Sequence, residues 1–248
     1  LLYLITKKKL NVMKVEIWSD VMCPFWYIGK RRFEKALEQF QEKDSIEVVW
    51  KSFQLNPAMI TEPGKNINQY LSEIKGWSLA QAKQANDYVT SMAKELGLNY
   101  DFDKAVVANS FDAHRLVQLA KVNGKGDTVE EQLFKAYFTE GKNIADHDPL
   151  VQLAAAIGLD EEAVKKLLKS NEYADAVERD IYEARQIGVR GVPYFIMNDR
   201  YSVSGAQATE TFLGALNKTW REWEKERPVI QYPGSDAEFV CDTDGECQ

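Results

Sequence analysis

The chain has 248 residues, 45% of them apolar and 28% charged, with 31 Lys and Arg against 38 Asp and Glu for a formal net charge of −7. That apolar content suffices for a large core in one domain, or in one domain carrying a big insertion. The acidic balance argues against nucleic-acid binding, which wants basic patches, and no stretch reaches the roughly 18–20 apolar residues of a membrane span. Lys7-Lys8-Lys9 reads as a solvated tail and Lys30-Arg31-Arg32 as a helix face. The opening, six mainly apolar residues and then lysines, is too short for a signal sequence and has its charge on the wrong side. The expectation is a cytoplasmic protein with neither nucleic acid nor membrane among its partners.

Along the chain, residues 14–19 alternate enough to predict a strand, with Lys14 and Glu16 outward. Asp20-Val21-Met22 turns the chain, and Pro24 suits the first turn of a helix reaching Phe40. Ile28, Phe33, Ala36, Leu37 and Phe40 form its apolar face, with Lys30 to Arg32 and Glu34 on the wet side. Residues 46–53, β-branched and aromatic, predict a second strand. Strand, helix and strand together make a parallel crossover unit.

Residues 66–186 read as helical almost throughout. Ser78 caps one helix, which Gly97 stops. Residues 111–120 and 129–138 are two more amphipathic runs. Asp148-Pro149 reads as an N-cap followed by proline, Gly158 ends that helix, Asp160 opens the next, and 173–187 forms the last of the block. Then 192–197 and 201–204 predict a hairpin turning at Asn198-Asp199-Arg200. A helix over 209–225 follows it, and after Pro228 the tail is polar. The fold class is therefore α/β, a small mixed sheet in two halves separated by a large helical insertion. The predicted units are 14–56, the insertion 57–187, 188–227, and a tail over 228–248 that holds a cysteine pair.

Chemistry concentrates at two places. Cys23 stands at a predicted helix start, where free backbone N–H groups and the positive end of the dipole favour a thiolate. An unperturbed thiol is only about 3% ionised at pH 7; a pKa near 6 would make it mostly thiolate. The competing reading is a buried cysteine packed as a small hydrophobe. The second place is Val192-Pro193, where proline enters a strand and gives up a ladder donor. His114 and His147 lack metal-ligand spacing, so no metal is expected. Phe25, Trp26, Tyr27 and Phe111 are candidates for an apolar floor, with core packing the default for each.

Several stretches resemble the thioredoxin-fold family of DsbA-type oxidoreductases, in particular its FrnE-like intracellular branch. They are Val15-Glu16-Ile17-Trp18-Ser19-Asp20-Val21-Met22-Cys23-Pro24-Phe25, Tyr27-Ile28-Gly29-Lys30-Arg31, Asn109-Ser110-Phe111-Asp112-Ala113-His114-Arg115-Leu116, Gly191-Val192-Pro193-Tyr194-Phe195 and Val203-Ser204-Gly205-Ala206-Gln207. The resemblance implies a thioredoxin-like fold with an all-helical insertion, a nucleophilic Cys23 in a Cys23-Pro24-Phe25-Trp26 motif, and a cis Val192–Pro193 loop beside it. Val192 and Pro193 are then candidate substrate-binding residues, and so is His114, which lies in one of these stretches, with a buried, hydrogen-bonded histidine as its competing reading.

Family members usually carry cysteine where this chain has Trp26. That substitution leaves four readings: a monothiol enzyme resolved by glutathione or a substrate thiol; Cys241 or Cys247 as auxiliary redox thiol; a degenerate binding module; or an altered residue, one base from a cysteine codon. The expected activity is thiol–disulfide exchange through a mixed disulfide on Cys23, with a thiol or disulfide partner, protein or small molecule. No cofactor is expected to be tightly bound, glutathione is the candidate co-substrate, and a homodimer is the candidate assembly. The alternatives are a glutathione-dependent transferase or isomerase resembling the kappa class, and a redox-inactive peptide-binding module.

Overall fold

The computed structural model describes residues 12–226. Cys241, Cys247, the tail and the first lysine run lie outside the described residues. β1 (Met13–Ser19) and β2 (Ile46–Ser52) pair in parallel, with Ile17 opposite Trp50. The helix that joins them, α1, spans Pro24–Gln39. β5 (Tyr194–Met197) pairs antiparallel to the other side of β1, with Ile17 opposite Phe195, and β6 (Tyr201–Ser204) completes the order β2-β1-β5-β6. The expected mixed sheet in two halves is therefore present. Asn198 and Asp199 turn the β5–β6 hairpin at φ of 50° and 55°, the left-handed pair that a tight hairpin needs. α9 (Thr209–Glu226) lies against α1 through Phe212 on Phe33 and Trp220 on Phe40.

Between the halves come β3 (Glu62–Asn66), α2 (Ile67–Lys75), α3 (Leu79–Lys94), β4 (Val106–Val107), α4 (Phe111–Val122) and α5 (Gly126–Phe134). After a π-helical turn at Lys135–Thr139 follow α6 (His147–Ala156), α7 (Glu161–Leu168) and α8 (Ala174–Gln186). Ser78 caps α3 in a capping box with Gln81, and Asp160 caps α7 through Glu162 N. The insertion also carries the short β3–β4 ladder, which the helical reading of 57–187 did not include. Glu62-Pro63-Gly64-Lys65-Asn66 has no strand signal of its own. α6 opens after Asp146 rather than Asp148, so Pro149 sits inside the first turn, where its missing N–H is lost to no helical bond.

Two surface assignments change for one reason: the insertion covers faces the pattern left wet. Lys30 is only 1% exposed, lies 3.0 Å from Asp127 at the start of α5 and also pairs with Glu34. Glu16 is buried on the β1 face that α8 covers, where Lys51 on β2 stands 3.7 Å from it and 2.6 Å from Glu183 on α8. The main apolar core, with a smaller cluster of Trp18, Phe53, Ala184 and Val189 packed beside it, runs through the sheet and into the insertion. A polar seam joins them at the strand ends. Gln118 on α4 donates to Ser52 Oγ at 3.0 Å and to Asp180 Oδ2 at 2.7 Å, while Lys121 donates to the Trp50 carbonyl at 2.7 Å.

Candidate active site

Cys23 is the N-cap of α1, with extended backbone at φ −85° and ψ 109°, and Pro24 follows it as the first helical residue. β1 ends at Ser19, so the turn Asp20 to Met22 delivers the cysteine to the C-terminal edge of the sheet, where βα connections leave their loops. The Val192–Pro193 bond is cis, as the resemblance implied. Its strand runs against β1, so this loop faces the Cys23 turn. The thiol donates to the Val192 carbonyl at 3.2 Å.

Gly29 makes the approach possible. A Cβ there would come within 3.1 Å of Pro193 Cγ and 3.5 Å of Ala206. A methyl group there would sit tighter than ordinary van der Waals contact, so the proline loop would have to give by a few tenths of an ångström to keep this approach.

The electrostatics of Cys23 differ from the sequence expectation. Burial pushes its thiol up to about 12, Asp20 adds to that, and the backbone N–H groups of Trp26 and Phe25 pull the other way without prevailing. At 3% exposure the cysteine is a protonated, shielded thiol hydrogen-bonded to a carbonyl. The helix end does favour the thiolate, but desolvation of a charge outweighs it in this closed arrangement. A reactive sulfur requires that the Val192 bond be given up when a substrate enters.

The sulfur borders a cleft of about 610 Å³ between the sheet edge and the insertion. Asp20, Pro24, Phe25, Gly191 and Val192 line its near side. The far side is apolar, built by Leu55 and Met59 after β2 and by Ile74, Trp77, Tyr88 and Val89 around α2 and α3. Phe25, Leu55, Ile74, Trp77 and Tyr88 are each 40% or more exposed, so this apolar surface is open to an incoming molecule. Tyr100 fixes the motif from behind, its hydroxyl donating to the Pro24 carbonyl at 2.8 Å.

Of the predicted residues, Cys23, Pro24, Phe25 and Val192 converge on the cleft, and Pro193 packs beneath it on α1. Trp26 does not face it. Its ring is fully buried among Trp50, Phe134 and Phe195 at centroid distances of 4.9, 6.0 and 6.1 Å. His114 does not line the cleft either; it lies behind Asp20. Tyr27 is buried and bonded to Glu131, so it is no part of an apolar floor. Phe111 borders a separate cavity of about 830 Å³ with Gln54, Asn109, Asp112, Tyr182 and Arg185, which holds none of the motif.

Asp20, Tyr100 and the α2–α3 wall were not singled out from the sequence. Asp20 stood inside the quoted Cys23 stretch, and that proximity was the available signal. The other two reach the site only through the tertiary fold.

A family model described as "DSBA-like thioredoxin domain" matches residues 14–217. A probable DsbA oxidoreductase from Streptomyces coelicolor is 38% identical and superposes with a TM-score of 0.81, covering 95% of this chain and 98% of that one. The uncharacterized protein YwbO of Bacillus subtilis is 29% identical over 211 residues, 82% of this chain and 95% of the relative. The cytosolic disulfide reductase DsbM of Pseudomonas aeruginosa, solved alone and with GSH, shares the fold at 18% identity and a TM-score of 0.56. It covers 86% of this chain, and 97% and 98% of the two DsbM chains are matched.

Proposed function

The chain belongs to the DSBA-like thioredoxin domain family, and from that membership we propose a cytoplasmic thiol–disulfide oxidoreductase of the FrnE-like branch working through one active-site sulfur, Cys23. The observation that carries this reading is the Cys23 thiol at the start of α1, 3.2 Å from the carbonyl of the cis-proline loop and bordering an open apolar cleft.

The chemistry follows from the residues present. A disulfide entering the cleft displaces the Val192 bond, and Cys23 gives up its proton. The sulfur attacks one sulfur of the substrate, the substrate S–S bond breaks, and the departing thiolate takes a proton. Cys23 and the substrate are then joined as a mixed disulfide. A neighbouring cysteine would ordinarily cleave this bond, but position 26 is a tryptophan turned into the core. In this reading an external thiol attacks the Cys23 sulfur, releasing the second substrate thiol. Another equivalent restores the Cys23 thiol and leaves as disulfide. In sum, one substrate disulfide and two external thiols yield two substrate thiols and one external disulfide. Glutathione is the proposed external thiol, a reading supported by the fold shared with DsbM, which has been solved with GSH.

Incubation with an apolar peptide disulfide followed by intact-mass measurement tests the proposal. One mixed disulfide on Cys23, absent from Cys23→Ser and released by glutathione, is expected. No adduct on Cys23, together with glutathione conjugation of an electrophile, would move the protein to a transferase reading. A Cys23–Cys241 or Cys23–Cys247 link after release would assign resolution to the tail.

A further inference from the structure

We infer that His114 is a positioning residue for Cys23: its Nε2–H, within ion-pair range of the Asp20 carboxylate, offsets charge that would otherwise bear on the sulfur. The inference rests on Cys23 being the reacting thiol, as proposed above.

Three separate parts of the chain meet at Asp20. Its own segment is the turn into α1, where the Asp20 carbonyl accepts Cys23 N at 2.8 Å. The segment after β2 supplies Leu55 N, which donates to Asp20 Oδ2 at 2.7 Å, and Met22 N donates to Oδ1 at 3.2 Å. The insertion supplies His114, whose Nε2 stands 3.4 Å from the same Oδ1. Asp20 is 2% exposed and His114 1%, so no bulk water attenuates this contact. His114 Nε2 has no aligned hydrogen bond among the described residues, which makes Asp20 its charge contact.

A bare nitrogen lone pair facing a buried carboxylate would be repulsive, so the contact requires the hydrogen on Nε2. The placement of His114 is built in from the start of α4. Gln54 donates to Asn109 Oδ1 at 3.0 Å and pins that helix start to the end of β2, and His114 N donates to the Ser110 carbonyl at 3.0 Å.

The consequence falls on Cys23. Asp20 and Cys23 border one cleft, and a carboxylate beside a forming thiolate disfavours it. A donor on Asp20 draws that charge away from the sulfur. The other titratable groups around the trio are Tyr100 behind Pro24, Tyr137 facing Asp20, and Tyr70 and Lys75 across the cleft. Of these the lysine is the cation, and it stands on the far wall.

Iodoacetamide alkylation of the Cys23 peptide across pH 6.5 to 9 reads the sulfur directly. One unit of thiol pKa is a tenfold change in thiolate below the midpoint. His114→Leu, which removes the donor, is expected to slow alkylation about three- to tenfold at every pH, and His114→Gln, which keeps one, to stay within about twofold of the parent. Asp20→Asn is expected to speed alkylation, and adding His114→Leu to it to change nothing further. An unchanged rate in His114→Leu, or an equal slowing in the Asp20→Asn background, overturns the role. Should His114→Leu lack a native unfolding transition, the ring ¹⁵N shifts of His114 in the parent protein decide: protonated Nε2 supports the role and a hydrogen confined to Nδ1 overturns it. Alkylation needs no turnover, so failure here leaves the mixed-disulfide reading standing. Loss of that reading would instead show as absent adduct with this pattern intact.

Discussion

Trp26 follows Cys23 by three residues on α1, yet the two side chains do different work. The cysteine caps the helix toward the cleft, while the indole fills the space between α1, β2 and β5. Its ring meets Trp50 edge-on and Phe134 and Phe195 at a tilt, geometries that aromatic quadrupoles favour. The indole N–H has no hydrogen-bond partner among the described residues, so packing offsets one stranded donor. Replacing Trp26 with cysteine would place a second sulfur one turn from the first, but at the cost of a large cavity. Urea denaturation of reduced Trp26→Cys is expected to show a loss of about 3–5 kcal/mol, in the range of truncated core aromatics. A loss below about 1 kcal/mol would mean that the ring is not packed as described.

At the scale of elements, the cleft is a joint product of α1, the Val192 loop and the α2–α3 pair. The capping box at Asn66 and Gln69 fixes the start of α2, and Gly76, at φ 65°, ends it and turns the chain toward α3. Ile74, Trp77 and Tyr88 then stand exposed across from Cys23. Such residues carry little of the folding energy. Trp77→Ala with Tyr88→Ala is expected to shift stability by about 0.5 kcal/mol per site or less, and to raise KM for an apolar peptide disulfide several-fold with kcat retained; unchanged KM would place substrate elsewhere. Most of α1 and the β5–β6 hairpin was legible in the sequence because proline, capping residues and periodicity act locally. Cys23 and the Val192–Pro193 loop were legible for the same reason, helped by resemblance. Core packing of Trp26 and burial of His114 stood among the sequence readings, whereas the burial of Lys30 and Glu16 did not, since it depends on what the insertion lays over a residue far away in sequence.

For the whole molecule, sheet and insertion are held by apolar packing and by the buried polar seam. Glu130 on α5 belongs to that seam: burial pushes its carboxyl up to about 8 from an ordinary 4.5, Asp127 reinforces the rise, and Lys30, Lys121 and a bond from Ser19 oppose it. The folded value lies above the unfolded one, so the folded chain keeps a proton that the unfolded chain releases between 4.5 and about 8. This contribution to stability is full below that interval and is lost as pH rises through it. Urea midpoints at pH 5 and pH 8 should therefore fall more steeply for the parent than for Glu130→Gln, which cannot ionise. Equal slopes would show that the carboxyl is ionised throughout.

The seat of the Cys23 sulfur also bears on how the protein meets oxidants. Peroxide oxidises thiolates that water can reach, and a sulfenic acid escapes further damage by condensing with a nearby thiol. Here the helix offers tryptophan instead of that thiol, while the sulfur keeps its hydrogen on the Val192 carbonyl beneath 3% exposure. Shielding at rest thus stands in for chemical rescue, and in the proposed cycle the sulfur is exposed to oxidant during the interval in which a substrate has opened its seat.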